Sequence, residues 1–280
     1  MARILVTNDD GIFSEGIRLL AAALADLGEV LVVAPDREQS ATGHSLTLTR
    51  PLRMQKVQDG WYAVDGTPTD CVNLGVLALL KDKRPDLVAS GINFGLNLGD
   101  DVTYSGTVSA TFEGTLLGIP SVAFSQEVGE GFSFEVAARF ARDLLRVLLS
   151  ADTELPRDLL LNVNIPAGPI QGVSFTRLGR RVYKQTVTEN LDPRGRKYYW
   201  IAGTPQWEKA EGTDFEAVSQ GRISVTPLHL DLTYYPGLES FGALWDKLSR
   251  LTFHRLPSEL PAELPSESGP QAGPGTGTPG

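Results

Sequence analysis

Residues 3–11 read Arg-Ile-Leu-Val-Thr-Asn-Asp-Asp-Gly, RILVTNDDG. Ile4, Leu5 and Val6 are an unbroken apolar run, the pattern of a strand covered on both faces in a parallel sheet. The run stops at Asn8, Asp9, Asp10 and Gly11. Neighbouring carboxylates repel unless water screens them or a cation sits between them. A parallel sheet lines up such strand ends along one edge, and that edge is where its ligands bind. One stretch therefore predicts a fold class and the place to look for chemistry.

The same pattern recurs downstream. Ile17, Leu20, Ala21, Leu24 and Leu27 follow helical spacing, with Gly28 where a terminating glycine belongs. EVLVVAP (29–35) reads as a second buried strand and WYAV (61–64) as a short third. Thr69 or Asp70 caps a helix reaching about Leu80. PDLVAS (85–90), PSVAFS (120–125) and LLLNVNIP (159–166) are further strands. Helices are expected near 107–117 and 134–149. Repeated strand–helix–strand units predict an α/β fold, a Rossmann-like, mostly parallel sheet with helices on both faces, over 1–170. Residues 171–256 read as a β-rich appendage. RVYKQTVTENLDPRGRKYYWIAG (181–203) forms two strands about an Asp192-Pro193-Arg194-Gly195 turn. ISVTPLHLDLT (223–233) is a strand and 238–250 a last helix. Residues 257–280 hold six of the 18 prolines and no aromatic residue, and are expected to be a disordered tail.

Bulk properties narrow the function. Across 280 residues the net charge is −9, which argues against a nucleic-acid duplex or an anionic membrane as partner. The lone cysteine, Cys71, sits in an apolar helical stretch and reads as core. No signal-peptide core precedes the first strand and no run reaches the roughly 18 apolar residues of a membrane span, so a cytoplasmic location is expected.

Three loops open on the same sheet edge: Asn8–Gly11, PDREQSATGHS (35–45) and SGINFGLNLGDDVTYSGT (90–107). Asp9, Asp10, Ser40, Asn93 and Asn97 make an all-oxygen set suited to a hard divalent cation such as Mg2+ or Mn2+. The plainer reading is one aspartate capping the next helix and the other solvated. Ser105, Gly106 and Thr107 precede a helix, which makes them either an ordinary N-cap or an anion site built on free backbone N–H groups. His44 is an acid, a base or a loop hydrogen-bonder, and His229 and His254 read as structural and solvated. Arg177, Arg180, Arg181 and Lys184 alternate with hydrophobics and read as a solvated hairpin face. No GxGxxG, Walker or G-x-S-x-G motif is present, and three scattered histidines do not make a zinc site. A receiver domain needs an acceptor aspartate after its third strand, where this chain has Gly66-Thr67-Pro68-Thr69-Asp70. An aspartyl-phosphate phosphatase wants Asp-x-Asp, whereas Asp9 and Asp10 are adjacent.

Five blocks in order, ILVTNDDG, VVAPDREQSATGHSLT, GTPTDCVNLG, SGINFGLNLGDDVTYSGTVSATFEG and NVNIP, resemble the SurE family of metal-dependent 5′/3′-nucleotidases. The resemblance implies hydrolysis of nucleoside monophosphates by a metal-activated water, with one divalent ion (Mg2+ or Mn2+) per subunit held by Asp9, Asp10, Ser40 and Asn93. It puts Asp9, Asp10 and Asn97 at the catalytic centre and Asn8, Asn97, Ser105, Gly106 and Thr107 around the phosphate. It also implies a protruding hairpin, here about 182–204, and a homodimer or homotetramer. The alternative is a non-catalytic nucleotide-binding regulatory protein on the same fold. The tail after Leu256 matches no block of the family.

Overall fold

The computed structural model describes residues 1–242 apart from 151, 153, 154, 185, 186, 202 and 203. The expected tail (257–280) and the end of the expected last helix lie outside them. The chain forms two units, residues 1–230 and 231–280. In the second, the described helix is α6 (Tyr235–Ser240).

The first unit is built on β1 (Ala2–Thr7), β2 (Gly28–Pro35), β3 (Met54–Gln58), β4 (Trp61–Val64), β5 (Leu87–Phe94), β6 (Ser121–Gln126), β7 (Leu160–Ile165), β8 (Val173–Phe175) and β13 (Ile223–Pro227). These nine strands form one sheet in the order β3-β4-β2-β1-β5-β6-β7-β13-β8. Strands β4, β2, β1, β5, β6 and β7 run parallel, while β3 and β13 are antiparallel to β4 and β7. The last two strands, β13 and β8, thus come from beyond residue 170. Its helices are α1 (Glu15–Leu24), α2 (Pro68–Leu74), α3 (Gly106–Leu116), α4 (Glu135–Leu148) and α5 (Asp214–Ser219).

The apolar run of β1 serves both faces because successive side chains alternate. Ile4 and Val6 join the cluster under α1 and α4, and Leu5 joins the cluster under α2 and α3. Strand β5 divides in the same way, Leu87 and Ala89 to one side and Val88 to the other. Each fully buried Val, Leu or Ile of this kind contributes about 1.5–3 kcal/mol.

Several expectations need correction. Gly28 does not terminate α1, which ends with Ala25 in the right-handed region. It starts β2 opposite Ala2, and a Cβ there would lie 2.1 Å from the Ala2 carbonyl oxygen, so close strand approach explains the glycine. The cap of α2 is Thr67, because Pro68 takes the first helical position; its hydroxyl accepts from the Asp70 N–H while the Asp70 carboxylate accepts from the Thr67 N–H. Strand β3 was not expected: MQKVQ has little apolar pattern and is mostly exposed. Strand β13 stops at Pro227, short of residue 233. Beyond the sheet, β9 (Arg181–Lys184) pairs with β12 (Thr204–Trp207) and β10 (Val187–Leu191) with β11 (Lys197–Ile201), both antiparallel. The Asp192 carboxylate closes the turn by accepting from the Arg194 and Arg196 N–H groups at 2.8 and 2.9 Å.

Candidate active site

Strand order reverses at β1. The chain runs outward from β1 through β2 to β4, then returns to place β5 on the other side of β1. The crevice beyond the carboxyl ends of β1 and β5 is the switch point at which such sheets bind ligands. Asp9 and Asp10 follow β1, Asn93 lies near the end of β5, and Ser40 sits in the loop after β2. Asp9, Asp10, Ser40, Asn93, Asn97 and Ser105 all line one cavity of about 400 Å³.

Asp9 is buried, and its Oδ1 accepts a short hydrogen bond from the Thr107 hydroxyl. The N-terminus of α3 presses on it so closely that a Cβ on Gly106 would lie 2.8 Å from the Asp9 Cβ and 2.9 Å from Oδ2. Burial pushes the Asp9 carboxyl above the usual carboxylate range, against the Thr107 hydroxyl and the Gly106 and Thr107 backbone. Burial first and the Asp9 charge second push Asp10 up to about 6. Asp10 accepts a long 3.4 Å bond from the Phe94 N–H. Among the described residues neither carboxylate has a cationic partner.

The other predicted residues divide by environment. Ser40 is exposed and donates to Glu38 at 2.7 Å. The Asn93 amide nitrogen donates to the Gly95 carbonyl at 2.9 Å, and its oxygen accepts from Thr107 at 3.3 Å. Ser105 caps α3: its oxygen accepts from the Val108 N–H at 3.1 Å, which leaves its proton to donate elsewhere. Asn97 is gripped from behind. Its N–H donates to Asn164, its carbonyl accepts from Asn162 and Asn164, and its side chain donates to Ser125, all at 2.8–3.0 Å. Asn8 is not among the cavity's lining residues; fully buried, it donates to the Gly11 carbonyl and Ser14 hydroxyl and so shapes the turn after β1. His44 ties its loop to α3 through Glu113 at 2.9 Å, the plainer of its two readings.

Sequence reasoning missed Glu38, Tyr104, Asp101 and Arg181, which also line the cavity. Arg181 is not part of a solvated face: it pairs with Asp101 in a short ion pair and is mostly buried. The two are 80 residues apart, and no local pattern announces such a pair.

Comparison with known proteins gives the family. The family described as Survival protein SurE matches residues 4–185. The 5′-nucleotidase SurE of Geobacter sulfurreducens is 55% identical over 248 residues, 87% of this chain and 93% of that protein. The 5′-nucleotidase SurE of Myxococcus xanthus is 56% identical over 234 residues, 82% and 88% of the two chains. This chain belongs to the SurE family. The crystal structure of the SurE protein from Aquifex aeolicus superimposes with a TM-score of 0.78 at 50% identity, covering 87% of this chain and all of that one.

The site suits the divalent ion on which the SurE family generally depends. Two carboxylates are held together without a cation, and the open oxygens beside them belong to an amide and a hydroxyl. An all-oxygen set of this kind matches a hard divalent cation rather than a soft metal. A Cβ on Gly106 would crowd Asp9 Oδ2, so glycine at the start of α3 lets that carboxylate keep its place.

Proposed function

We propose that this chain is a 5′-nucleotidase that hydrolyses nucleoside 5′- and 3′-monophosphates to nucleoside and inorganic phosphate. The observation that carries the reading is the uncompensated Asp9–Asp10 pair at the β1/β5 switch point, in a chain whose curated relatives are named 5′-nucleotidases. Asp9, Asp10, Ser40 and Asn93 would hold one Mg2+ or Mn2+ ion. When bound, that ion would offset phosphoryl charge and lower the pKa of a water. Thr107 and the first turn of α3 hold Asp9 in place. Ser105, through its hydroxyl proton, and Asn97, through its side-chain amide, are the donors left to orient phosphate oxygens. The committed donors of Thr107 and Asn8 make those two residues positioning groups. Water adds to phosphorus as the ester P–O bond breaks. Asp10 has the freer carboxylate to take the water's proton, and one proton is returned to the leaving nucleoside oxygen, so the water's two parts end on phosphate and nucleoside.

We further read the β10–β11 ladder as a joining surface between subunits of a homodimer or homotetramer, because Trp200 and Ile201 are 64% and 86% exposed there. Among the described residues no helix is long and apolar enough to cross a membrane. The buried single thiol of Cys71 fits a reducing, cytoplasmic setting.

Phosphate release from nucleoside monophosphates, with EDTA and after adding back Mn2+ or Mg2+, tests the function. Metal-dependent turnover is expected. Tight nucleotide binding without release would favour the regulatory alternative instead.

A further inference from the structure

Asn97 lies between β5 and the short helical turn Gly99–Thr103, in a segment bounded by Gly95 at φ +112° and Gly99 at φ +52°. The segment is outside the strands, so no ladder fixes it. Its hold comes from β7, whose sequence LLNVNI puts asparagine at 162 and 164 in a strand buried along its whole length. Val163 and Ile165 fill the cluster under α1 and α4, so Asn162 and Asn164 face the opposite side of the sheet, where both are fully buried. Asn164 Oδ1 accepts from the Asn97 N–H at 2.8 Å, and Asn164 Nδ2 donates to the Asn97 carbonyl at 3.0 Å. Hydrogen-bonded residues on antiparallel strands make the same two-bond exchange through their backbones; here a side chain supplies one half of it. Asn162 Nδ2 donates to the same carbonyl at 2.8 Å. Ser125, opposite Asn164 on β6, accepts from Asn97 Nδ2 at 2.8 Å. A strand covered on both faces is ordinarily apolar. Two asparagines here cost the fold their desolvation, and Asn162 Oδ1 has no hydrogen-bond partner among the described residues. The stability of β7 does not account for them; the hold on Asn97 does.

We propose that Asn162, Asn164 and Ser125 are positioning residues for phosphate, which keep Asn97 aimed as a preorganised donor. The inference rests on the nucleotidase reading, in which the Asn97 side chain orients a phosphate oxygen. Both backbone groups of Asn97 and one of its amide hydrogens are committed. The second amide hydrogen is left for the cavity that Asn97 lines. A donor fixed before the phosphoryl group arrives needs no reorganisation as charge develops on that group. A donor free to turn loses this advantage, since misplacement by about 1 Å can cost about 100-fold in rate. Asn162, Asn164 and Ser125 are not among the cavity's lining residues, so they act through Asn97 and not by contact with phosphate or ion. This gives the asparagines of the NVNIP block a task that no local pattern announces.

The test measures inhibition by inorganic phosphate, kcat and KM for a nucleoside 5′-monophosphate, and Mn2+ affinity by calorimetry. Asn97→Ala sets the scale: inhibition by phosphate should weaken about 10- to 100-fold, the range for losing one hydrogen bond to a charged group. Asn164→Ala should approach that loss and Ser125→Ala should show part of it, with Mn2+ affinity held at the wild-type value. Asn97→Ala combined with Asn164→Ala should weaken inhibition no further than Asn97→Ala alone, because Asn164 acts only through Asn97. Val163→Ala, on the other face of the same strand, controls for a merely structural part; it should lower Tm and leave phosphate inhibition unchanged. Additive losses in the double variant overturn the proposal, as does a fall in Mn2+ affinity equal to the fall in phosphate inhibition. If Asn164→Ala does not fold, Ser125→Ala and Asn162→Ala, each removing one hydrogen bond, decide. Metal-dependent turnover with unaltered phosphate inhibition in these variants sinks the proposal and leaves the nucleotidase reading standing. Calorimetric binding of inorganic phosphate that weakens alike in Asn97→Ala and Asn164→Ala supports the proposal even if wild-type protein hydrolyses no nucleotide.

Discussion

Asp9 and Asp10 are costly to the fold and useful to the site. Burial raises the proton affinity of both carboxyls in the folded chain, and the Asp9 charge adds to it at Asp10, which moves from 3.8 to about 6. In that window the metal-free folded chain binds more protons than the unfolded one, so its stability falls as pH rises from about 4 to about 6. Asp10→Asn should remove much of this slope. In EDTA at pH 7.5 it should melt a few degrees above wild type, since about 1 kcal/mol moves Tm by roughly 2–4 °C in a chain of this size. The same substitution should cut phosphate release by orders of magnitude at saturating Mn2+, and Asp9→Asn should do likewise. Thermal unfolding of wild type and Asp10→Asn across pH 4.5–7.5, with turnover beside it, checks both; a mutant that melts lower in EDTA and turns over normally would contradict the assignment. Thr107 belongs to the same account. Its hydroxyl donates to Asp9, so Thr107→Ala should weaken Mn2+ binding about 10- to 100-fold, while Thr107→Ser recovers most of it. Manganese titration distinguishes this from a phosphate-handling role, which would move inhibition by inorganic phosphate and leave metal affinity alone.

At the scale of elements, the site is made by where α3 and the β5 loop come to rest. Gly106 lets the first turn of α3 meet Asp9, and Gly106→Ala should displace either the helix start or the carboxylate. We expect loss of most activity with the fold retained, read from turnover and circular dichroism. Gly91 plays the matching part in β5: at φ +133°, with a Cβ only 2.4 Å from the Phe124 carbonyl oxygen, it admits no side chain. Much of this level was legible in the sequence. Buried runs at β1, β2, β5, β6 and β7 marked the parallel sheet, because their composition reports cover on both faces. The polar strand ends marked the edge. Strand β3 was not legible, because an exposed edge strand needs no apolar pattern. Nor were the roles of residues 105–107, because Ser and Thr before a helix read alike whether they serve an anion or a neighbouring carboxylate.

For the whole molecule, the arm is the part that a single chain leaves unexplained. Strands β10 and β11 expose Val187, Leu191, Tyr198, Tyr199, Trp200 and Ile201. A two-stranded ladder of this kind is marginal alone in water and gains by covering its apolar surface. Light scattering of intact protein at micromolar concentration should report a dimer or tetramer, and replacing 187–201 by a short Gly-Ser turn should lower the mass. A monomeric intact protein would refute the arm as the joining element. The sequence by itself determined the α/β class, the polar sheet edge with Asp9, Asp10, Ser40 and Asn93 on it, and the arm's turn at Asp192, because each is carried by neighbouring residues through period, strand ends and turn chemistry. Tertiary structure alone decided that Thr107 serves Asp9 from 98 residues away, that Arg181 reaches Asp101, and that Trp207 and Phe215 wall a second cavity beside the first. The physical reason is that such contacts join side chains far apart in the chain, and only the crossovers of the sheet and the return of the arm bring them within reach of one another.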